Sequence, residues 1–386
     1  MRKLKAAILG TGFMGKVHTE ALRRLGNVEV AAVAASSQST ADRFAEALLI
    51  PKASGDWKSL VNDPEIDAVH VCTPNALHFP MAKAALESGK HVLCEKPLAM
   101  NLAQARALSE LAASANLAHC VNHNLRCYPM VQQIRAMIAA GELGDVLVAN
   151  GTYFQDWLLY DTDWNWRADS AANGALRAMG DIGSHWMDAI EHLTGLRITS
   201  LCADLATFHE IRRRPKGSVE TFTGKNPAGG DYLETSVSTD DFGAVLLRLG
   251  GHLKREARGS FAVSQVSAGR KNRFNLEIYG SQCGVAWNQE RPDELWIGHR
   301  NSPNQLILKD PSLLHSSAAA YADLPGGHSE GYDDTHKQMF RRFYARVADA
   351  NAPVDYPTFA DGARGMQLLE KVLESSRDRA WVDVPA

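Results

Sequence analysis

An apolar run over residues 5–9 (KAAIL) stops at Gly10, and Gly10-Thr11-Gly12-Phe13-Met14-Gly15 follows without a gap. Beyond it Val17, Ala21, Leu22 and Leu25 recur at helical spacing as far as Gly26. A buried-type strand, a glycine turn and a helix inside one unit leave little freedom of fold. Gly10 suits the tight turn, Gly12 lets the backbone approach a pyrophosphate, and Gly15 lets helix and strand pack closely. The N–H groups of the loop, with Thr11, Phe13 and Met14 on it, face an anion at the positive end of the helix dipole. The alternation continues with strands expected at 28–34, 67–73, 91–94 and 118–122 and helices at 41–49, 79–88 and 101–115. Regular β-α-β alternation with short loops predicts a doubly wound parallel sheet covered on both faces, here over residues 1–123.

A dinucleotide site of this kind expects an acidic residue about 20 positions after the glycines, on the ribose 2′-hydroxyl. The second strand ends instead in Ala34-Ala35-Ser36-Ser37-Gln38. Without a carboxylate to repel a 2′-phosphate, and with Ser36, Ser37, Thr40 and Arg43 as donors, NADP is slightly favoured over NAD. The same serines also suit plain helix capping.

The 386 residues suit two domains. The net charge of −3 offers no basic excess to draw nucleic acid or an anionic membrane. The short run Arg212-Arg213-Arg214 reads as a solvated loop. Six cysteines are scattered at 72, 94, 120, 127, 202 and 283 with no CxxC pair, which suits a reducing compartment. No run approaches the ~20 apolar residues of a membrane span, and the apolar stretch near the start is too short for a signal peptide. A cytoplasmic protein is expected. No metal site is expected: His119 and His123 are four apart, but on a strand running into a turn.

Cys94-Glu95-Lys96-Pro97-Leu98 follows the strand 91–94. A Glu-Lys-Pro triplet there resembles the glucose–fructose oxidoreductase / inositol dehydrogenase (Gfo/Idh/MocA) family, whose N-terminal domain has the Rossmann fold. Cys72-Thr73-Pro74-Asn75 with His78 resembles the family's cofactor-side loop, and Asn124-Leu125-Arg126-Cys127-Tyr128-Pro129 its N-x-R-x-x-P stretch. Trp166-Arg167 resembles a pair that approaches the cofactor from the second domain, and Gly180-Asp181-Ile182-Gly183-Ser184-His185 the D-x-G-x-H signature. The resemblance spans nearly the whole chain. It implies NAD(P) held with the help of Thr73, Pro74, Asn75, His78, Glu95, Lys96, Asn124, Trp166 and Arg167. Two stretches depart from it. Residues 173–179 carry extra residues before Asp181, and residues 155–166 are rich in Asp and Trp.

The resemblance also implies hydride transfer to or from a sugar, polyol or sugar derivative, with Lys96, Asp181 and His185 catalytic. The chemistry is consistent. Histidine is the side-chain type that takes a proton near neutrality. An ammonium beside the oxygen stabilises a developing alkoxide. Asp181 and His185, four apart, share one face if a helix starts near 181. Pro97 favours an extended Lys96 at the carboxyl end of its strand, where ligands of such sheets bind. Tyr153, Asp156, Trp157 and Asp163 are further substrate candidates, since aromatic faces and carboxylates suit sugar rings, and so is His328, on a stretch (326–332) that resembles a family segment able to touch substrate. Taken singly, each of these has an ordinary structural alternative. A redox-neutral enzyme that keeps its NAD bound, and a non-catalytic cofactor-binding regulator, are the competing functions.

Residues 124–386 are expected to form an α+β domain. Strands at 145–154, 198–206, 232–238, 243–249, 258–266 and 273–279 predict a large, mostly antiparallel sheet with one open face. Turns are expected at Asp241-Phe242-Gly243 and Gly250-Gly251, an exposed loop at 212–231, and a last helix at about 359–376. The resemblance implies a homodimer or homotetramer formed through the open face.

Overall fold

The computed structural model describes residues 2–216, 231–251 and 255–385. Its contacts divide the chain into two compact units. The first comprises residues 1–124, 171–174 and 336–366, and the second comprises residues 125–170, 175–335 and 367–386.

Strands β1 (Leu4–Leu9), β2 (Val28–Ala34), β3 (Lys52–Ser54), β4 (Ala68–Val71), β5 (His91–Cys94) and β6 (His119–Val121) make a six-stranded sheet in the first unit. Its order is β3-β2-β1-β4-β5-β6, and every pair is parallel. This is the expected doubly wound topology, with the reversal of strand order beside β1. The central strands are buried over Ala6 to Leu9 and Ala68 to Val71, as a sheet covered on both faces requires. Helices α1 (Phe13–Arg23), α2 (Gln38–Leu48), α3 (Trp57–Val61), α4 (His78–Glu87) and α5 (Leu102–Ser114) connect the strands. Strand β3 and helix α3 were not foreseen. An edge strand of three half-exposed residues leaves no periodic trace.

The second unit holds β7 (Val146–Phe154), β8 (Arg197–Ala206), β9 (Ile211–Pro215), β10 (Tyr232–Ser236), β11 (Phe242–Gly250), β12 (Ala257–Ser264), β13 (Arg273–Gly280), β14 (Gly284–Asn288), β15 (Glu294–Gly298), β16 (Gln305–Leu308) and β17 (Val382–Asp383). Nine of them form one sheet, β16-β15-β14-β13-β7-β12-β11-β8-β17, antiparallel except at β12–β7. Strand β11 shows its construction: Val245, Leu247 and Leu249 are buried, while Leu246 and Arg248 between them are exposed. Leu147, Leu246, Leu306 and Leu308 are all more than half exposed, so one face carries apolar side chains open to solvent.

Three expectations are corrected. Residues 211–215 form a strand paired with β10 in a separate two-stranded sheet, and do not begin a loop. Residues 217–230 of the expected loop lie outside the described ones. Arg212 is not solvated: it is fully buried, because its guanidinium meets the buried carboxylate of Asp241 at 2.7 Å. Asp241-Phe242-Gly243 is no hairpin tip. Asp241 is fully buried by that pairing, and Phe242 already opens β11.

Candidate active site

In the first unit the glycine loop is built as its spacing demands. Gly10 sits at φ +115°, and a Cβ there would run into the backbone carbonyl of Cys72. A Cβ on Gly15 would strike the carbonyl of Gly10, which is why helix α1 can lie so close to β1. A Cβ on Gly12 would meet nothing within 4 Å. Gly12 caps α1 with no side-chain hydrogen bond. An open cradle at a helix N-terminus fits a pyrophosphate, so Gly10, Thr11, Gly12, Phe13, Met14 and Gly15 suit a dinucleotide. At the end of β2, Ser37 caps α2: its Oγ accepts from the Thr40 N–H and bonds the Thr40 hydroxyl at 2.9 Å. Ser36 beside it is exposed.

The loop after β4 is tied down from several sides. Asn75 is buried and its amide donates to the backbone carbonyl of Asn173 at 2.8 Å. His78 is fully buried, with Nδ1 2.8 Å from the Pro97 carbonyl and Nε2 2.8 Å from the Thr73 carbonyl. Burial pushes its pKa down, so the neutral ring donates to one of them. His78 thereby braces Thr73 and Pro74 against the turn that follows β5. Lys96 on that turn is half-buried, and its peptide bond to Pro97 is cis. Asn124, buried, opens the turn after β6.

Glu95 is buried against His18, whose Nε2 lies 3.0 Å away, and also accepts from the Asn122 amide. Burial alone would raise its carboxyl, but the hydrogen bonds from His18 and Asn122 and the Lys96 charge outweigh it and hold the pKa below the usual carboxylate range. A carboxyl depressed in the folded state stabilises above its unfolded value and loses that contribution as pH falls through the folded one. Glu95→Gln should therefore cost stability at pH 7 and progressively less below about pH 5. Urea midpoints of both proteins between about pH 7 and pH 3 check this; a gap independent of pH would contradict it.

In the second unit Asp181 lies in a π-helical turn, Met179–Gly183, that runs directly into the helix Ser184–Thr194 carrying His185. The wide turn was not foreseen, since Gly-Asp-Ile-Gly reads as an ordinary helix start. Such turns recur at functional sites. Asp181 is buried, and its two oxygens meet Arg167 Nε at 3.2 Å and Gln265 Nε2 at 2.9 Å. Arg167 in turn stacks on the Trp166 ring at 4.5 Å. His185 is buried, with the Tyr153 ring centred 6.3 Å from its own. Tyr153 donates to Asn272 at 2.8 Å, and burial keeps its hydroxyl protonated. Trp186 next to His185 stacks on Phe261 at 4.6 Å and packs where a Cβ on Gly151 would stand, which fixes the helix on the sheet. Trp166, Arg167 and Asp181 thus form one linked set and His185 and Tyr153 another, both in the second unit.

The other substrate candidates serve their own loops. Asp156 pairs with Lys271 at 2.6 Å and accepts from the Gly269 N–H. Asp163 accepts from the Tyr160 N–H at 2.8 Å, and burial raises its pKa. Trp157 donates to Gln155 at 2.8 Å. His328 is exposed on a loop held by the buried Lys309, which donates to the His328 carbonyl at 2.8 Å and to Glu330 at 2.6 Å.

Two groups escaped the sequence reading. Asp240 accepts from the N–H groups of Arg177 and Met179 at 2.6 and 2.7 Å, and Asp241 pairs with both Arg177 and Arg212. This buried cluster anchors residues 177–179 directly before Asp181. The second group is the buried histidine pair His18 and His70, hidden within an apolar helix face and an apolar strand.

The profile of the "Oxidoreductase family, NAD-binding Rossmann fold" matches residues 4–123, and that of the "GFO/IDH/MocA C-terminal domain" matches residues 131–286. Over its whole length the chain is 29% identical to levoglucosan dehydrogenase of Pseudarthrobacter phenanthrenivorans, covering 99% of that protein. A solved structure of levoglucosan dehydrogenase with NADH and levoglucosan superposes with a TM-score of 0.88 at 28% identity, each chain fully covered. An inositol dehydrogenase homologue with NAD+ from Azotobacter vinelandii gives a TM-score of 0.86 at 26% identity over 99% of this chain and 97% of that one. With both family domains present in order, this chain belongs to the Gfo/Idh/MocA family of NAD(P)-dependent oxidoreductases.

Proposed function

We propose that this enzyme oxidises a secondary hydroxyl of a small, uncharged sugar or sugar derivative, with His185 as the base and Lys96 as the group that holds the oxygen. The observation that carries the reading is the acid/base set of the second unit: a buried carboxylate at Asp181, locked by Arg167 and Gln265, one helical turn before a buried imidazole. A dinucleotide held by the glycine loop would supply the hydride acceptor. His185 takes the hydroxyl proton as the carbon gives up its hydride. The Asp181 carboxylate, one helical turn before the ring, favours the charged form of the imidazole, and the Lys96 ammonium stabilises negative charge building on the oxygen. The full-length likeness to levoglucosan dehydrogenase supports a substrate of monosaccharide size, anhydrosugars included. Incubation with a panel of sugars, anhydrosugars and polyols, followed at about 340 nm, tests the proposal. Steady reduction of the dinucleotide with at least one of them is expected. Product formation without net reduction would instead support the redox-neutral alternative.

We further propose a modest preference for NADP. The end of β2 carries no carboxylate, and with Ser37 committed to capping, Ser36 and Arg43 remain as donors for a 2′-phosphate. Arg43 lies 3.5 Å from the Thr40 hydroxyl, beside the capping serine. Arg43→Ala should raise KM for NADP about tenfold or more, roughly one lost charged hydrogen bond, and leave KM for NAD within about twofold. Equal effects on the two constants would remove Arg43 from cofactor selection.

A further inference from the structure

Four buried side chains of the first unit form a string. The Tyr344 hydroxyl lies 2.9 Å from His70 Nε2, His70 Nδ1 lies 3.0 Å from His18 Nδ1, and His18 Nε2 lies 3.0 Å from the Glu95 carboxylate. His18 and His70 have no exposed surface, and Tyr344 has almost none. Tyr344 comes from the helix Tyr332–Ala348, His70 from β4, His18 from α1, and Glu95 from the residue after β5. We propose that Tyr344, His70 and His18 are positioning residues: a one-way run of hydrogen bonds that fixes the Glu95 carboxylate directly before Lys96. The inference rests on the reading of Lys96 as the group that holds the substrate oxygen.

The direction follows from what each atom can do. An ionised carboxylate only accepts, so His18 Nε2 carries its proton. In a neutral His18 ring, Nδ1 is then an acceptor. His70 Nδ1 must therefore be the donor, which leaves His70 Nε2 to accept from Tyr344 O–H. Every atom of the run is matched with both rings neutral. Burial drives the His70 pKa far down, and the charge of a protonated His18 would drive it down as well. Burial likewise keeps the proton on Tyr344. Cys72 Sγ stands 3.2 Å from the same His18 Nδ1, and burial holds it as a thiol, a weak donor that points the same way. Phe340 closes the pocket edge-on to both rings, at 4.8 Å from His18 and 5.1 Å from His70. A net charge on either imidazole would be desolvated there. His70 thus forces the tautomer of His18, and that tautomer presents its N–H to Glu95.

The tautomers are read directly from imidazole 15N–1H correlations of the histidine-labelled protein at pH 7, with His70→Asn used to assign the pair. The expected pattern is a proton on Nε2 of His18 and on Nδ1 of His70. A His18 protonated on Nδ1, or on both nitrogens, overturns the proposal without any activity measurement. Kinetics supply the second arm. The Asn side chain places its amide where His70 Nδ1 stands and can still donate to His18, whereas Leu cannot. His70→Leu is expected to lower kcat about tenfold with dinucleotide Kd within about twofold of wild type, and His70→Asn to recover kcat to within about threefold. If the two variants are equally impaired, or equally active, His70 only fills space and the proposal fails. Lys96→Ala separates this from the parent reading: wild-type turnover in that variant would sink the role of Lys96, whatever the tautomers prove to be.

Discussion

His185→Ala is expected to lower kcat by about 100-fold or more while the Kd of the dinucleotide changes by less than about twofold. His185 and the glycine loop belong to different compact units, so truncating the ring leaves the Gly10–Gly15 cradle intact. What disappears is the base. Without it the hydroxyl proton must pass to water, and a positioned base typically contributes about 10²–10⁴-fold. Imidazole added to the solution should restore part of the lost turnover in His185→Ala, since a small base can enter the space left by the ring. Rapid mixing separates hydride transfer from product release and shows whether the chemical step carries the loss. Wild-type turnover in His185→Ala would take the residue out of the mechanism. A loss of dinucleotide affinity as large as the loss in kcat would make its role structural.

The reach of sequence reasoning here follows the range of the interactions. The glycine loop was legible because strand, turn and helix are contiguous, and each glycine answers a local steric demand. The parallel sheet was legible because its strands are uninterrupted apolar runs. Strands β14 to β16, of five, five and four residues, went unread. Asp181 and His185 were found through their spacing, but the π-helical turn between them was not. The residues just before it, 177–179, are held by Asp240 and Asp241, more than 60 positions away in sequence. The charged run at 212–214 misled for the same reason: a surface arginine and a buried one look alike until the distant carboxylate is known. His18 and His70 were invisible because a histidine inside an apolar run breaks no pattern.

That buried cluster carries the largest expected effect on stability. Asp241 shares one carboxylate between the Arg177 and Arg212 guanidinium groups, and all three side chains are fully buried. Its other oxygen accepts from the N–H groups of Phe208 and His209 at 2.7 and 3.0 Å. Burial would raise the Asp241 carboxyl, but the two arginines and the backbone donors hold it below the usual carboxylate range. Arg212 is pushed down by burial and by Arg177 beside it, and the Asp241 carboxylate, with a smaller contribution from Asp163, opposes the repulsion. Asp241→Asn keeps the shape and removes that charge, leaving two desolvated cations face to face. Breaking a buried pair in this way costs about 3–5 kcal/mol. Urea unfolding should show a loss of that size. Arg213→Ala, which breaks an ion pair with Asp161 on the open side of the same strand, should leave the midpoint nearly unchanged. Because Asp241 also holds Arg177, four residues before Asp181, the kcat of whatever Asp241→Asn remains folded should fall as well. Equal midpoints for the two variants would mean that solvent reaches the pair and that the cluster does not anchor the turn beneath Asp181.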